Sequence, residues 1–440
     1  MGAIQTLILS RSTIKPSSPT PLHLRTFKLP FFGQLLPPFY SEIIFFYTPT
    51  TKNSAGMSDT IKDSLSKTLT IFYPLAGRLK DACSIDCNDE GAYFLEARVN
   101  CQISDVLREP DAKLLGGFLP VEPRTSEISA GCMLLVQQTI FDCGGIAIGM
   151  CFQHKMFDLS SMCCFFQNWT AMATGNSDAV VCPKFIDASF MPPREGFITP
   201  TTGYATTENY TTRRFVFEAS KIAVLKEKTA GENEQNYPTR VQAVSAFILK
   251  RTIAAARLKS GSETPTVYLQ TVDLRRWVDP PLLKNSIAHF VWTHPVIIEE
   301  SDIELPDFVS KIKERFTEFC TKKANRFKGD EAFQVIRESL EEYSELFKSP
   351  TISCTSWCKF PLYETDFGWG KPTWVSSPGN QFGNLILLVD TKCGTGIEAW
   401  VTLDEEVMAI LEHDEELLEA ASFNPSPLEE QCLIFPSKTA

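Results

Sequence analysis

The chain has 440 residues, 43% of them hydrophobic and 11% aromatic, so it is globular and too long for one ordinary core; two domains of about 200 residues are expected. A formal net charge of −11 argues against a nucleic-acid or anionic-membrane partner, either of which needs a basic surface. No run approaches the ~18 uninterrupted apolar residues of a membrane-crossing helix.

The opening "MGAIQTLILSRSTIKPSSPTP" has no apolar h-region and no small-residue cleavage site, so no signal peptide is expected. Gly2 with Thr6 fits the loose pattern for N-myristoylation, which leaves most positions open. The 14 cysteines are scattered without paired C-x-x-C spacing. No metal site is therefore expected, and reduced thiols in a cytoplasmic protein are.

"SEIIFFYTP" is predicted to be a strand. In "TIKDSLSKTLTIFYPLAGRLK", Thr60 is placed to cap a helix whose apolar positions Ile61, Leu65 and Leu69 recur at helical spacing, and Pro74 stops it. "GAYFLEARVN" alternates as a strand does. "CMLLVQQTIFDCGGIAIGMCFQHKMFD" gives two apolar strands turning at Gly144-Gly145, and the second runs into His154. "SSMCCFFQNWTAMATG" has helical spacing with Gly175 as its stop. Residues 176–212 are rich in Pro, Thr, Ser and Gly and are expected to link two domains, 1–175 and 213–440. Beyond the linker, "TTRRFVFEAS", "TVYLQTVDLRRW" and "NLILLVDTKCGTGIEAWVTLD" supply strands, the last a hairpin. "PTRVQAVSAFILKRTIAAARL", "ELPDFVSKIKERFTEFCTKKANRF", "EAFQVIRESLEEYSELFK" and "EEVMAILEHDEELLEAA" supply helices. Strands alternate with helices in both halves, so the expected class is α/β with mixed sheets.

The chain has 5 histidines, and His154 stands four residues before Asp158 in "CFQHKMFDLSS". One such pair is unremarkable by chance, and a satisfied core histidine is the bland reading. A zinc pair would need a third ligand with sensible spacing, and none is apparent. A cysteine nucleophile would need a thiol against the imidazole; Cys151 is three residues upstream on a strand and faces away. A free-standing general base needs only a histidine of pKa near 7 at the lip of a cleft, and a strand end before a helix suits it.

A second stretch, "SCTSWCKFPLYETDFGWGKPTW", contains Asp366-Phe367-Gly368-Trp369-Gly370. Together with His154-x-x-x-Asp158 and "YPLAGRL", it resembles the plant BAHD acyltransferases, and the likeness covers nearly the whole chain. "IKPSSPTPLHLRTFKL", "VDLRRWVDPPL" and "GIEAWVTLDEEVM" match that family's opening, central strand and end. The wording around the second motif is nearest the alkaloid acetyltransferase branch.

The resemblance implies two similar-sized α/β domains with mixed sheets, like chloramphenicol acetyltransferase, with a tunnel at their interface. It implies a monomer that takes acetyl-CoA or another acyl-CoA as co-substrate and a small-molecule acceptor, with no resident cofactor. His154 would be the general base. Asp158 would pair with Arg275 and hold the histidine loop. Thr355 and Trp357 match positions beside the oxyanion, their bland reading being core packing. Asp366, Phe367, Gly368, Trp369 and Gly370 would form a structural loop, in which the glycines permit turns that a side chain blocks. Ser245 and Lys250 match positions on the CoA side, although an exposed Ser and Lys on a helix are ordinary.

The chain departs from the family pattern at Phe157, where a small residue is usual, and at Leu159, usually glycine or alanine. Ala288-His289 stands where Gly-Asn is usual. All three changes are expected to crowd the substrate pocket. Acyl transfer to an alkaloid-like alcohol is therefore read beside N-acylation, another acyl donor, elimination or cyclisation of a bound intermediate, and a non-catalytic ligand-binding paralogue.

Overall fold

The computed structural model describes residues 4–50, 54–120, 131–194, 209–230, 237–299, 304–378 and 382–429. Gly2 and the centre of the expected linker, 195–208, lie outside them. Two large mixed sheets carry the fold. The first has six strands, in the order Thr6–Ile14, Ala92–Val99, Leu134–Phe141, Ile146–Gln153, Tyr40–Tyr47 and Trp374–Ser376. The second has seven: Val291–Ile298, Thr266–Asp273, Thr351–Ser356, Leu385–Asp390, Ile397–Asp404, Tyr210–Phe217 and Ser422–Phe423. Each mixes parallel and antiparallel pairs, and helices pack over both, so the expected α/β architecture is the one observed.

The strand that leads to the histidine, Ile146–Gln153, is buried at every position, which suits its continuous apolar sequence and its place between two partners. Gly149 is required there, because a Cβ would lie 2.0 Å from the Phe118 carbonyl oxygen. The helix that follows, Leu159–Thr174, begins on Asp158 as N-cap and ends on Gly175 at φ 70°, the left-handed stop its sequence predicts.

Three expectations need correction. The first long helix starts at Ser54, not at Thr60, whose hydroxyl bonds the Gly56 carbonyl one turn back instead of capping. The last helix is two, Glu405–Leu411 and Glu415–Ala420, because Asp414 turns out of the first and caps the second while gripping Arg251. The division at 175 and 213 is also not clean. Trp374–Ser376, from the expected C-terminal domain, is the edge strand of the first sheet, with Trp374 opposite Phe46. Leu362, Phe367, Trp374 and Val375 all pack into the first core. A further cluster joins Phe31 and Phe32 of the first half to Val272, Leu274, Phe290 and Trp292 of the second. The two halves are thus stitched together in two places, at the edge of the first sheet and through this further cluster.

Candidate active site

His154 leaves its strand with its backbone N–H on the Phe39 carbonyl, 2.9 Å away. Its Nδ1 lies 2.7 Å from the Phe157 carbonyl oxygen and 2.8 Å from Ser41 Oγ. A carbonyl only accepts, so Nδ1 carries the proton and Nε2 keeps its lone pair. The side chain is half-buried. Burial draws its pKa below the ordinary histidine value, opposed by the Phe157 carbonyl and the charge of Asp158. The ring is therefore a neutral base of fixed tautomer. Phe39 meets it edge-on at 4.8 Å, and so does His289 at 4.7 Å.

Asp158 makes no hydrogen bond to His154. Its carboxylate receives Arg275 Nη1 at 2.6 Å and Nη2 at 3.0 Å, the Ser161 N–H at 3.0 Å and the Phe290 N–H at 3.0 Å. Desolvation opposes its charge, yet the Arg275 guanidinium beside it holds the carboxyl below the usual range. Arg275 also reaches the carbonyls of Ser286 and Ala288. The pair joins the start of the histidine helix to residues 286–290 of the second half. Lys155, next to the base, buries its ammonium on the Gly33 and Leu36 carbonyls, and burial pushes its pKa down to about 8.

Of the three departures, only His289 meets the base with its side chain. The Phe157 side chain is fully buried and stacks on Phe152 at 5.7 Å inside the first core, so only its carbonyl serves the site. Leu159 belongs to the same core. Among the described residues, no ring contact joins the Phe157 side chain to His154; its ring neighbours are Phe72 and Phe152. Thr355 is half-buried opposite Leu387, and the Trp357 N–H donates to the Leu388 carbonyl at 2.7 Å while its indole packs on the first core. Among the described residues, no hydrogen bond or ring contact joins either to His154. Ser245 is buried, its hydroxyl on the Gln242 carbonyl at 3.3 Å, and Lys250 is half-buried.

Asp366 accepts the N–H groups of Gly368 and Gly370 at 2.7 and 2.9 Å, and those glycines adopt φ of 94° and 110°. Phe367 fills the space between Trp169, 4.9 Å away, and Trp369, 5.4 Å away, and Tyr47 bonds the Thr365 carbonyl. This loop fastens the second half to the first core, away from His154.

Sequence reasoning missed Ser41 and Phe39, which reach the site from a neighbouring strand whose register no local pattern reveals. It also missed Ser161, although Asp158-x-x-Ser161 at a helix start is a legible capping signal. None of the 13 cysteines among the described residues is in a disulfide, and no described helix is long and apolar enough to cross a membrane.

The Transferase family model matches residues 5–418. The chain is 37% identical to a limonoid 7-O-acetyltransferase of Citrus sinensis, over 96% of this chain and 99% of that protein. It is 35% identical to the stemmadenine O-acetyltransferase of Catharanthus roseus, over 94% and 97% of the two chains. Among solved structures, that of vinorine synthase is similar with a TM-score of 0.84 at 32% identity, covering 96% of this chain and all of that one.

Proposed function

The chain belongs to the Transferase family and is an acyltransferase, and from that premise we propose that it moves an acetyl group from acetyl-CoA to a hydroxyl of an alkaloid, limonoid or related plant metabolite. The observation that supports this most is the state of His154: Nδ1 is tied to Phe157 and Ser41, leaving Nε2 as an unprotonated base where the two halves meet.

In this reading, Nε2 takes the proton of the acceptor hydroxyl as its oxygen attacks the thioester carbonyl carbon. The tetrahedral oxyanion collapses, the C–S bond breaks, and the imidazolium returns the proton to the departing thiolate. Thiolate leaves more readily than alkoxide, so collapse runs toward the ester, and no acyl-enzyme forms. Thr355 and Trp357 are the proposed donors to the oxyanion. Asp158 and Arg275 hold the loop and take no proton. Acetyl-CoA and acceptor approach through a tunnel between the halves, with Ser245 and Lys250 on the CoA side. We place the enzyme in the cytoplasm as a monomer, a setting in which cysteines remain outside disulfides.

The test is incubation with acetyl-CoA and a panel of alcohols that includes stemmadenine and a 7-hydroxylated limonoid, read by product mass. An acetyl ester that depends on His154 is the expected outcome. Absence of any acetylated product across the panel, or an ester formed equally well by His154→Ala, overturns the proposal.

A further inference from the structure

His289 sits beside the base but takes no part in the chemistry so far described. Its ring meets that of His154 edge-on at a centroid distance of 4.7 Å, and the residue is only 5% exposed. Among the described residues its side chain makes no hydrogen bond, and Nδ1 is a buried nitrogen without a partner. A neutral imidazole has one donor and one acceptor. Nδ1 has no surface that a bound molecule could reach, whereas Nε2 is not sealed in this way; Nε2 is therefore the atom open to a polar occupant, and a hydrogen bond left unmet in a buried site costs about 1–3 kcal/mol.

The position of the ring is fixed from both sides. The Ala288 carbonyl is held by Arg275 Nη2 and by Ser161 Oγ, each at 2.9 Å, and the Ala288 N–H bonds Ser161 Oγ at 3.1 Å. The Phe290 N–H is on Asp158. The network that holds the histidine loop therefore also aims His289. Burial, together with the nearby His154, Arg275 and Lys155, disfavours its protonated form, and Asp158 opposes them; its pKa falls well below the usual histidine value. The ring is thus a hydrogen-bonding group, not a charge.

A molecule whose hydroxyl meets Nε2 of His154 lies against this second imidazole. That hydroxyl spends its proton on His154 and its lone pair on the thioester carbon, so it has little left for His289. The partner must be another atom close by. We propose that His289 is a specificity-determining residue that hydrogen-bonds a second oxygen of the acceptor, borne on the carbon next to the one acylated, so that the site prefers vicinal diols and α-hydroxycarbonyl compounds to isolated alcohols. This rests on the reading of His154 as the base facing the acceptor.

The experiment compares binding of trans-cyclohexane-1,2-diol and cyclohexanol to the full-length protein with CoA present, by titration calorimetry or ligand-observed NMR. The diol is the more polar and would bind more weakly if nothing received its second hydroxyl. Roughly fivefold to tenfold tighter binding of the diol is expected, the worth of one net hydrogen bond. His289→Phe should abolish the preference and His289→Asn keep part of it, with melting temperature recorded for each. Equal binding in the wild type, no detectable binding of the diol, or a preference that survives in folded His289→Phe overturns the proposal. So does a fall in turnover of His289→Phe without a change in diol preference, which assigns the ring to the oxyanion. The readout is binding, so a protein that acetylates neither alcohol counts against acetyl transfer and leaves this result standing.

Discussion

The turn from His154 to Asp158 and the loop from Asp366 to Gly370 each place an aspartate at a sharp change of chain direction, and each joins the two halves of the molecule. Asp366 is satisfied locally, by the N–H groups of Gly368 and Gly370, and its neighbours spend their rings on packing. Asp158 is satisfied at long range, by Arg275 and Phe290 from the other half. What separates the regions is what each leaves over. The first keeps a lone pair on His154 free; the second turns its aromatic and glycine residues to shape and leaves over only the Trp369 indole N–H, sealed within the packing. A conspicuous string reports a constrained backbone, and chemistry additionally requires a polar atom that the fold leaves available.

The largest effect that would break this comparison lies in the first region. His154→Ala should lower turnover by about 10²–10⁴ with the melting temperature unchanged, measured by steady-state rates and thermal unfolding. Next, Arg275→Ala should cost about 3–5 kcal/mol of stability by stranding the buried Asp158 carboxylate, and activity should fall with it. Denaturant titration checks this; loss of turnover at full stability would instead make the pair catalytic. The pH dependence has a definite sign. The folded-state pKa of Asp158 is depressed, so its contribution is present above the unfolded value of about 3.9 and is lost as pH falls through the folded value. Wild type and Arg275→Ala should therefore converge in stability under acid.

Phe367→Ala in the second region should cost about 3–5 kcal/mol but leave turnover per folded molecule nearly unchanged, a split read by unfolding and active-site titration together. Gly370→Ala meets no atom within 4 Å, so its cost is conformational alone, from φ 110°, about 1–2 kcal/mol. The smallest signal is in the pH–rate profile. Burial lowers the pKa of His154, so the acid limb of kcat/KM should lie below the ~6.5 of a free imidazole, with activity retained on mild acidification. A limb at or above that value would show that burial does not govern the base.

Both regions were visible in the sequence because each is short and its spacing is covalent. The all-buried strand, the helix that follows and its Gly175 stop were legible from periodicity and end signals. The pairing of Asp158 with Arg275 came through family resemblance and holds in the structure. Phe157 and Leu159 were read as pocket residues, and the structure packs both into the first core, a partner choice that proximity along the chain does not reveal. Ser41 was invisible because it reaches His154 across 113 residues through a strand register.

By itself, then, the sequence determined the α/β class, the order of most elements, the family, and the two short segments that matter, since hydrophobic period and turn chemistry act over a few residues. Only the tertiary structure decided that a strand from the C-terminal half completes the first sheet, that the Phe157 carbonyl sets the tautomer of the base, and that His289 ends beside it without a hydrogen-bond partner among the described residues. Those outcomes depend on how two sheets pack and on contacts between residues more than a hundred positions apart, which no local pattern encodes.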